Sequence, residues 1–439
     1  MTRLESGGTR EGWRPAPSVV FAGLGSLALL AGGVVLSRPD AIAVAMPLAL
    51  WAAAVMGGRR TDGGCEIDVR TSESDEHGWL HDEIQVRSTT EMVEVSLVQS
   101  ERARKRAFVA GTSRIRTRSR VMHSGPVRTV EAVARGLDAD GGMIAAPGDP
   151  MRSDRSVQPP LHRLGHLPVA PRLTGLHGAH EGSRPGQGGD FRDIHPFAPG
   201  DELRRVDWKA TARMARRPGD LLVRRTNTLS DASVVIAMDT ADELGAVVAM
   251  WGTPDLERSG ITSLDHARSA ARSIAAATIE RGDRVAFHTL AHGGRSVRSG
   301  SGPRHLARVT AEISASGRGG DDSRFRRTPP VPQGSIIYVL STFFDGAAAE
   351  IALRWRNSGH RVVAVDTLPA LDASRLSAER ELALEVLLAE RHDMLHGLRT
   401  SGVATISWAR DPAAELGALS RASAANTGPV QRRAAMVAR

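Results

Sequence analysis

The chain has 439 residues and 41% of them are hydrophobic, which is enough for two or three domains that each bury a core. Aromatic residues make up only 4% of the chain, so it lacks the stacking platforms of single-stranded nucleic-acid binders, although the net charge is +8. The single cysteine, Cys65, excludes an intrachain disulfide framework and a cysteine-cluster metal site.

Two uncharged hydrophobic runs stand near the N-terminus, at Val19–Leu36 and Ala41–Gly58. Each has 18 residues, a length that just crosses the core of a bilayer as a helix. A cleavable signal peptide explains the first run but not the second. The pair therefore predicts a transmembrane helical hairpin over residues 18–60, after an N-terminal tail of residues 1–17.

Arginines flank this hairpin on both outer sides. They are Arg3, Arg10, Arg14, Arg59 and Arg60. The connecting loop has only Arg38, which Asp40 offsets. By the positive-inside rule we expect a multi-pass protein of the cell membrane, with both termini and the soluble domains in the cytoplasm.

Residues 61–169 have the pattern of a small β-rich domain. Apolar and polar residues alternate in five stretches that Gly, Ser and Asp separate: 65–70, 83–88, 93–100, 106–111 and 113–121. Several short strands at this spacing predict a small β-sandwich. The basic stretch 102–106 is expected at a solvated hairpin tip, and the turn-rich stretch 138–155 is expected to be a loop.

Residues 170–230 contain a linker and then a densely charged segment. The stretch up to Gly189 is rich in Gly, Pro and His, which is typical of a linker. Two histidine pairs, His162/His166 and His177/His180, have spacings found in metal sites, but neither lies on a predicted helix or beside a set of cysteines or acids. We expect no metal at these histidines.

Residues 231–425 alternate between strand and helix patterns, before a C-terminal tail of residues 426–439. Short apolar runs predict strands at 232–240, 283–290, 335–342, 360–368 and 403–409. Apolar residues at helical spacing predict helices at 264–282, 303–316, 347–359, 377–402 and 411–424. This alternation predicts a doubly wound α/β domain with a largely parallel sheet, whose ligands bind at the carboxyl ends of the strands.

The common catalytic signatures are missing from the sequence. It contains no Walker A motif, no GxGxxG or GxSxG loop and no HExxH motif. Cys65 follows directly on the hydrophobic runs, which is a poor position for a nucleophile. We therefore predict no catalytic residue and no cofactor.

Three acids at predicted strand ends are candidate cation ligands. Asp239 ends the first strand of the α/β domain, Asp242 follows it, and Asp345 lies beyond the third strand. Carboxylates at such an edge can bind Mg²⁺. The alternative, which we favour, is that these acids cap helices and solvate loops.

The stretch GGDFRDIHPFAPGDELRRVDWKATAR, residues 188–213, mixes acids with arginines. Opposite charges at such short spacing predict salt bridges, including one between Arg204 and Asp207, and low carboxylate pKa values. A Pro-Gly-Asp turn is expected to lead into a short helix over Glu202–Arg213, with Asp201 as its N-cap.

Three aromatic residues of the same stretch, Phe191, Phe197 and Trp208, are expected to anchor it to a core. With its acids paired and its aromatics buried, the stretch is interpreted as a tightly folded connector. Acid–base catalysis by these acids is the alternative interpretation. The two are hard to separate by sequence, because networks of structural ion pairs have the same residue types as active sites.

The stretch resembles the signature of the bacterial domain-of-unknown-function family fifty-eight. The matching positions are Gly189, Phe191, Ile194, Pro199, Gly200, Asp201, Arg204, Asp207, Trp208, Lys209, Thr211, Ala212 and Arg213. Two positions depart from the family's pattern, since His195 stands where the family usually has Arg and Phe197 where it usually has Tyr.

The resemblance implies an architecture and a partner. The architecture is two membrane helices, a β-rich insert, the signature and a von Willebrand factor A-like domain. The implied partner is a MoxR-type AAA+ ATPase, or a client protein, in the assembly or activation of protein complexes.

The adhesion-site motif of A-like domains is degenerate in this sequence. The D-x-S-x-S motif reads Asp239 to Glu243 without either serine, and a strand-end Ser-Asp reads Ser341-Thr342. The Gly-Gly-Thr loop corresponds to Gly319-Gly320-Asp321. Because most ligands are lost, we expect weak or no specific Mg²⁺ binding.

Three functions fit this sequence to different degrees. The leading hypothesis is a non-enzymatic, membrane-anchored interaction protein. A cell-envelope hydrolase that uses the acids of the signature is disfavoured by the missing motifs and the expected ion pairing. A basic nucleic-acid binder is disfavoured by the membrane tether and the scarcity of aromatic residues.

Overall fold

The computed structural model describes residues 12–58, 64–72, 78–99, 103–138, 140–168, 180–199, 201–214, 217, 220–230, 232–253, 258–291, 293–319 and 328–422. The chain divides into two compact units. The β unit contains Met1–Val121 and Val127–Arg155, and the α/β unit contains Met122–Pro126 and Ser156–Arg439.

Two apolar helices open the β unit, α1 (Pro17–Val35) and α2 (Pro39–Gly57). Each has a proline in its first turn, where no backbone N–H is needed, and Ser37, at φ 52°, lies between the two helices. Both are long and apolar enough to cross a membrane, and only 17% of each apolar window is buried. The core helix of a soluble protein is mostly buried, so these helices differ from one. The two predicted helical runs are confirmed.

The described residues of the β unit form seven strands: β1 (Arg14–Pro15), β2 (Cys65–Ser72), β3 (Trp79–Gln99), β4 (Ala103–Arg120), β5 (Gly125–Leu137), β6 (Met143–Ile144) and β7 (Met151–Val157). They form one sheet in the order β1-β6-β5-β3-β2, with β4 paired to β3 and β7 paired to β5. The stretch 138–155, expected to be a loop, contains β6 and most of β7, because short pairings with β1 and β5 supply order that its turn-rich composition does not indicate.

The predicted short strands merge into two long ones. β3 has 21 residues and β4 has 18, and their pairing is interrupted between Arg87 and Met92. Gly111 of β4 lies at this interruption, where an added Cβ atom would stand 2.3 Å from the carbonyl oxygen of Thr90. Apolar residues from both sides of the interruption form one buried cluster: Ile67, Ile84, Val86, Val93, Val95, Leu97, Val130, Ala132 and Ala134. The two-sheet sandwich stays a prediction.

The basic stretch, expected at a hairpin tip, lies instead in the first residues of β4, where it pairs with the end of β3. Arg104, Lys105 and Arg106 are exposed at the start of β4, directly after the β3–β4 connection. Arg102 lies outside the described residues.

The apolar helices are attached to the sheet of the β unit. Val19 of α1 and Ala52 and Val55 of α2 form a small buried cluster with Met143 of β6, against which Trp13 packs. We call this cluster the hairpin base. The cluster places β6 beside the start of α1 and the end of α2.

The described residues between 180 and 230 form a two-stranded arm within the α/β unit. The arm consists of β8 (His180–Pro196), a 3₁₀ turn (Leu203–Arg205), α3 (Trp208–Met214) and β9 (Leu222–Ser230). β8 and β9 are antiparallel with an irregular register. β8 begins inside the stretch that the sequence indicates as a linker, since β9 provides it with a pairing partner. Residues 169–179 lie outside the described part.

The sheet of the α/β unit contains β10 (Ser233–Asp239), β11 (Arg284–Leu290), β12 (Ser296–Gly300), β13 (Ile336–Ser341), β14 (Arg361–Asp366) and β15 (Ala404–Ser407). Its helices are α4 (Ser263–Glu280), α5 (Pro303–Ala315), α6 (Ala347–Asn357), α7 (Ala378–Thr400) and α8, over residues 412–422. A short 3₁₀ helix spans Val248–Met250. All ten predicted strands and helices are confirmed.

The strands are ordered β12-β11-β10-β13-β14-β15, and all are parallel except β12. All seven residues of β10 are buried, as expected of a strand covered on both faces. Val234 and Ile236 pack in one core with α4 and α5, whereas Val235 and Ala237 pack in a second core with α6 and α7. The mixed α/β architecture is confirmed, and β12 is an additional antiparallel edge.

Two segments outside the strand–helix alternation complete the α/β unit. Residues 156–168, which the sequence grouped with the β domain, bury Leu164 and Leu167 in the core beside α4. The segment Met122–Pro126 binds α4 through Asp265, which accepts hydrogen bonds from the backbone N–H of Ser124 at 2.7 Å and from His123 Nδ1 at 2.7 Å.

Candidate functional site

The fold places a topological switch point beside the central strand of the α/β unit. The chain leaves β10 for β11 on one side and later crosses to β13 on the other. Ligands of open α/β sheets bind at the carboxyl ends of the strands that flank such a point. Here those ends are Asp239 of β10 and Ser341 of β13.

Asp239 is a buried carboxylate held by two hydrogen bonds. Its Oδ2 accepts from Ser341 Oγ at 2.7 Å, and its Oδ1 accepts from the backbone N–H of Ala241 at 3.0 Å. Burial raises the pKa of Asp239 to about 6, and the negative charges of Asp345 and Asp242 contribute to the rise. The hydroxyl oxygen of Ser341 also accepts from the N–H of Phe343 at 3.0 Å. The contacts fix two strand ends together rather than presenting a nucleophile.

Asp242 and Asp345 complete the set of three acids that the sequence singled out. Asp242 Oδ2 accepts from Thr342 Oγ1 at 3.3 Å, and burial, followed by the charge of Asp345, raises its pKa. Asp345 is exposed and accepts from the N–H of Ala347 at the start of α6, at 3.1 Å. The structure thus brings the three acids to one edge, where each serves a strand end, a loop or a helix start.

No metal-binding set is present among the residues described. In that part of the chain no group of three or more His, Cys, Asp or Glu side chains is placed to hold an ion. The N–H of Gly319 donates to the carbonyl of Thr240 at 2.7 Å, so this glycine does lie at the switch point. Gly320 and Asp321 lie outside the described residues.

Sequence reasoning missed two residues at this edge. Asp366 ends β14 as Asp239 ends β10, and it forms an ion pair with Arg391 of α7. Arg391 also donates from Nε to the carbonyl of Thr342 at 2.6 Å and lies 5.4 Å from the ring centre of Phe344. Asp366 could have been found from the sequence, because it stands at the end of a predicted strand as Asp239 does. The sequence contains no local signal for Arg391, because its partners are more than 20 residues away in the chain.

The signature contains the expected turn but a different helix. The N–H of Asp201 donates to the carbonyl of Ala198 at 3.0 Å, which confirms the turn. Asp201 Oδ2 accepts from the N–H of Ala198 at 2.9 Å and from His195 Nε2 at 3.1 Å. The hydrogen bond from Ala198 is the main reason that the pKa of Asp201 is lowered, and His195 adds to it. Asp201 therefore stabilises the turn, and its prediction as the N-cap of a helix is wrong.

Asp207 takes the capping role instead. Its Oδ1 accepts from the N–H of Ala210 at 2.9 Å at the start of α3. The predicted pair between Arg204 and Asp207 is wrong, because Arg204 pairs with Glu202. The hydrogen bond from Arg204 lowers the pKa of Glu202, so low carboxylate pKa values are confirmed at Asp201 and Glu202.

The aromatic residues of the signature do not anchor it to a core. Phe191, Phe197 and Trp208 are 53%, 37% and 66% exposed. Smaller residues fill the interior of this segment: Val206, Ala210 and Val223 are buried. The anchoring prediction is therefore wrong, because the segment buries side chains of low volume and leaves its aromatic rings exposed.

The exposed large apolar side chains of this segment are called the signature surface: Phe191, Phe197, Leu203, Trp208 and Met214. Basic residues accompany them. Lys209 and Arg213 of α3 are exposed, and the guanidinium of Arg224 lies 5.4 Å from the ring centre of Phe191. Of the other signature positions, Gly189 lies in β8, Pro199 is exposed at the turn, and Gly200 lies outside the described residues.

The comparisons agree with this picture. No curated protein matches the chain. A family model described as "Protein of unknown function DUF58" matches residues 193–376, from the signature through β14. The resemblance carried by the signature is thereby confirmed over residues 193–376.

Proposed function

We propose that the protein is a non-enzymatic, membrane-anchored interaction protein that binds a MoxR-type AAA+ ATPase or a client protein through the signature surface. The observation that carries the proposal is the exposure of Trp208, at 66%, together with Met214 at 64% in the same short helix. Exposed apolar side chains that are grouped, rather than scattered singly, mark interaction sites.

The composition of the signature surface supports a protein partner. Trp, Phe, Met and Arg are enriched at protein interfaces, and Trp and Arg are the commonest residues that dominate binding energy. Arg213 stands in α3 between Trp208 and Met214, and Lys209 follows Trp208 directly. A partner with an apolar pocket bordered by acids fits these residues.

The remaining parts of the proposal concern the fold and the membrane. The α/β unit is proposed to be von Willebrand A-like with a degenerate adhesion site, since Asp239 and Asp242 are occupied by Ser341 and Thr342. The apolar helices α1 and α2 are proposed to form the transmembrane hairpin, with both termini in the cytoplasm.

The hydrolase alternative is disfavoured because Asp201, Glu202 and Asp207 are used in a turn, an ion pair and a cap.

Site-specific photocross-linking in native membranes tests the proposal. The full-length protein would carry p-benzoylphenylalanine in place of Trp208 and, as a control, in place of Ile261, which is 57% exposed in the α/β unit. We expect position 208 to capture an AAA+ ATPase or a client that position 261 does not capture. Identical captured proteins at both positions, or none at position 208, would contradict the proposal.

A substitution complements the cross-linking. Trp208→Ala is expected to weaken co-purification of that partner by about tenfold or more, as for a central interface tryptophan. Ile261→Ala should leave it unchanged. Equal recovery of the partner with both variants would count against the signature surface.

A further inference from the structure

Strand β4 forms a long edge of the sheet in the β unit. It has 18 residues and, among the described residues, it pairs with β3 alone. Alternate positions of its C-terminal half carry what we call the arginine row: Arg114, Arg116, Arg118 and Arg120. Alternate residues of a strand share a face, and all four are exposed. The edge therefore carries a dense band of positive charge.

The backbone of the arginine row directs its polar groups away from β3. Residue pairs along antiparallel strands alternate between hydrogen-bonded and non-hydrogen-bonded pairs. The N–H of Val121 donates to the carbonyl of Gly78 at 2.8 Å, so that pair is hydrogen-bonded. The adjacent pair, Trp79 with Arg120, and every second pair beyond it are then non-hydrogen-bonded. Their N–H and C=O groups point toward the outer edge.

The open part of this edge has a defined length. The carbonyl of Arg118 accepts a hydrogen bond from the side-chain amide of Gln99, which closes the edge at that point. From Thr112 to Arg116 the outward residues are exposed, and the side chains of Arg114 and Arg116 are 69% and 85% exposed. The edge from Thr112 to Arg116 therefore offers both backbone groups and two guanidinium groups.

Among the described residues, the charges of Arg114 and Arg116 are weakly offset by one acid, Glu83. Glu83 of β3 lies 3.7 Å from Arg114 and 3.9 Å from Arg116, distances at which exposed ion pairs contribute little. The guanidinium of Arg118 lies 3.7 Å from the ring centre of Trp79, a contact that keeps its charge. Arg114 and Arg116 therefore attract an anionic partner.

Two kinds of partner fit this edge poorly. A second copy of the chain paired edge to edge would bring arginine rows together, and like charges on adjoining strands repel. A single-stranded nucleic acid needs aromatic faces for its bases, but Arg118 already covers the ring of Trp79.

An anionic lipid surface is disfavoured by the path of the strand. Met143 of the hairpin base lies in β6, which pairs with β5 next to Leu137. Leu137 pairs with Met92, and Met92 pairs with Ala110 of β4. Arg116 is six residues beyond Ala110, about 20 Å along the strand at 3.4 Å per residue. The arginine row thus continues away from the level of the apolar helices.

We propose that the edge of β4 from Thr112 to Arg116 binds an acidic protein segment in extended conformation. The segment would pair with the outward backbone groups as an added strand. Its acidic side chains, at every second position about 6.8 Å apart, would face the arginine row. This proposal is independent of the signature surface, which lies in the other unit.

Fluorescence anisotropy with the full-length protein in phosphatidylcholine nanodiscs tests the proposal. The probe is a labelled eight-residue peptide of alternating Glu and Thr. A matched peptide carries N-methyl groups on alternate backbone amides, which removes strand pairing but keeps the charge. We expect the methylated peptide to bind at least about tenfold more weakly. Equal affinity of the two peptides would overturn the added-strand geometry.

Paired variants test the role of the arginines. Arg114→Gln/Arg116→Gln is expected to weaken the peptide at least about tenfold. The control Arg304→Gln/Arg308→Gln removes the same charge from exposed positions of α5 and should change nothing. Binding of oligothymidylate or of phosphatidylserine vesicles more tightly than the peptide would overturn the choice of partner. The methylated-peptide comparison uses the unaltered protein, so it decides the question even if the variant does not fold.

Discussion

Asp239 is a carboxylate whose burial favours its protonated form. In the folded protein its pKa is raised from 3.8 to about 6. A raised acid pKa means that the folded state loses stability as the pH rises from the unfolded to the folded value, and remains less stable above it. The charge of Asp239 therefore costs stability at neutral pH and nothing below about pH 3.

Asp239→Asn is accordingly expected to stabilise β10. At pH 8 the gain in free energy of unfolding is up to about 3 kcal/mol, for a pKa difference of about two units, and at pH 3 it is close to zero. Hydrogen exchange of the β10 amides measures this locally. Asp393→Asn, at an exposed position of α7, is the control and should have little effect. A loss of protection in Asp239→Asn at pH 8 would contradict the assignment.

Asp265 shows the opposite behaviour. Burial alone would raise its pKa, but the hydrogen bond and charge of His123 and the N–H groups of Thr262 and Ser124 lower it to about 2. A lowered acid pKa stabilises the folded state above the unfolded value of 3.8, and this contribution is lost as the pH falls toward 2.

Asp265→Ala is expected to destabilise α4 by about 3 kcal/mol at neutral pH, because it leaves several buried donors without an acceptor. Hydrogen exchange of the α4 amides is the measurement, and Asp345→Ala is the comparison variant. We expect the difference between the Asp265→Ala protein and the unaltered protein to shrink as the pH is lowered from 5 to 2. A difference independent of pH in this range would exclude Asp265 as the source.

At the scale of single elements, α3 depends on its cap. Asp207→Ala is expected to reduce the stability of α3 by about 1 kcal/mol, whereas Asp207→Asn should be nearly neutral because asparagine also caps helices well. Exchange rates of the α3 amides distinguish the two variants. A hydrolytic activity that Asp207→Asn abolished while α3 stayed protected would instead favour the enzyme hypothesis.

The elements also show where a sequence suffices and where it does not. The strands and helices from β10 to α8 follow from hydrophobic period alone, because both faces of this sheet are buried and each helix buries one face. The merging of short predicted strands into β3 and β4 depends on cross-strand pairing, which a local pattern does not contain. The same holds for the candidate site. Asp239 and Asp345 could be predicted from their positions after strands, but Arg391 could not, because its contacts are formed only in the folded chain.

Exposure was the least predictable property. An aromatic side chain in a charged segment is expected to be buried and to hold the segment to a core. Burial of Trp208 would be strongly favourable. The structure buries Val206 and Ala210 in that segment and leaves Trp208 outside. Nothing in the sequence separates these two arrangements, because both satisfy the same local pattern.

For the whole molecule, the orientation in a membrane can be tested with the single native cysteine removed. In a Cys65→Ser background, Ser37→Cys lies between α1 and α2, and Ser299→Cys lies in the α/β unit. By the positive-inside rule, a membrane-impermeant maleimide added to intact cells should label position 37 and not position 299. Labelling should become equal after permeabilisation. The reverse pattern in intact cells would contradict the proposed topology.

The segment Met122–Pro126 has a practical consequence for dividing the molecule. Arg268 of α4 is 2% exposed and donates to the carbonyls of Ser124 and Ser316, at 2.8 Å each. A fragment that begins at Ser156 keeps α4 but lacks Ser124, so Arg268 and Asp265 both lose buried partners. The α/β unit is thus discontinuous in sequence, and a cut at the apparent boundary would yield a fragment prone to proteolysis rather than an autonomous domain.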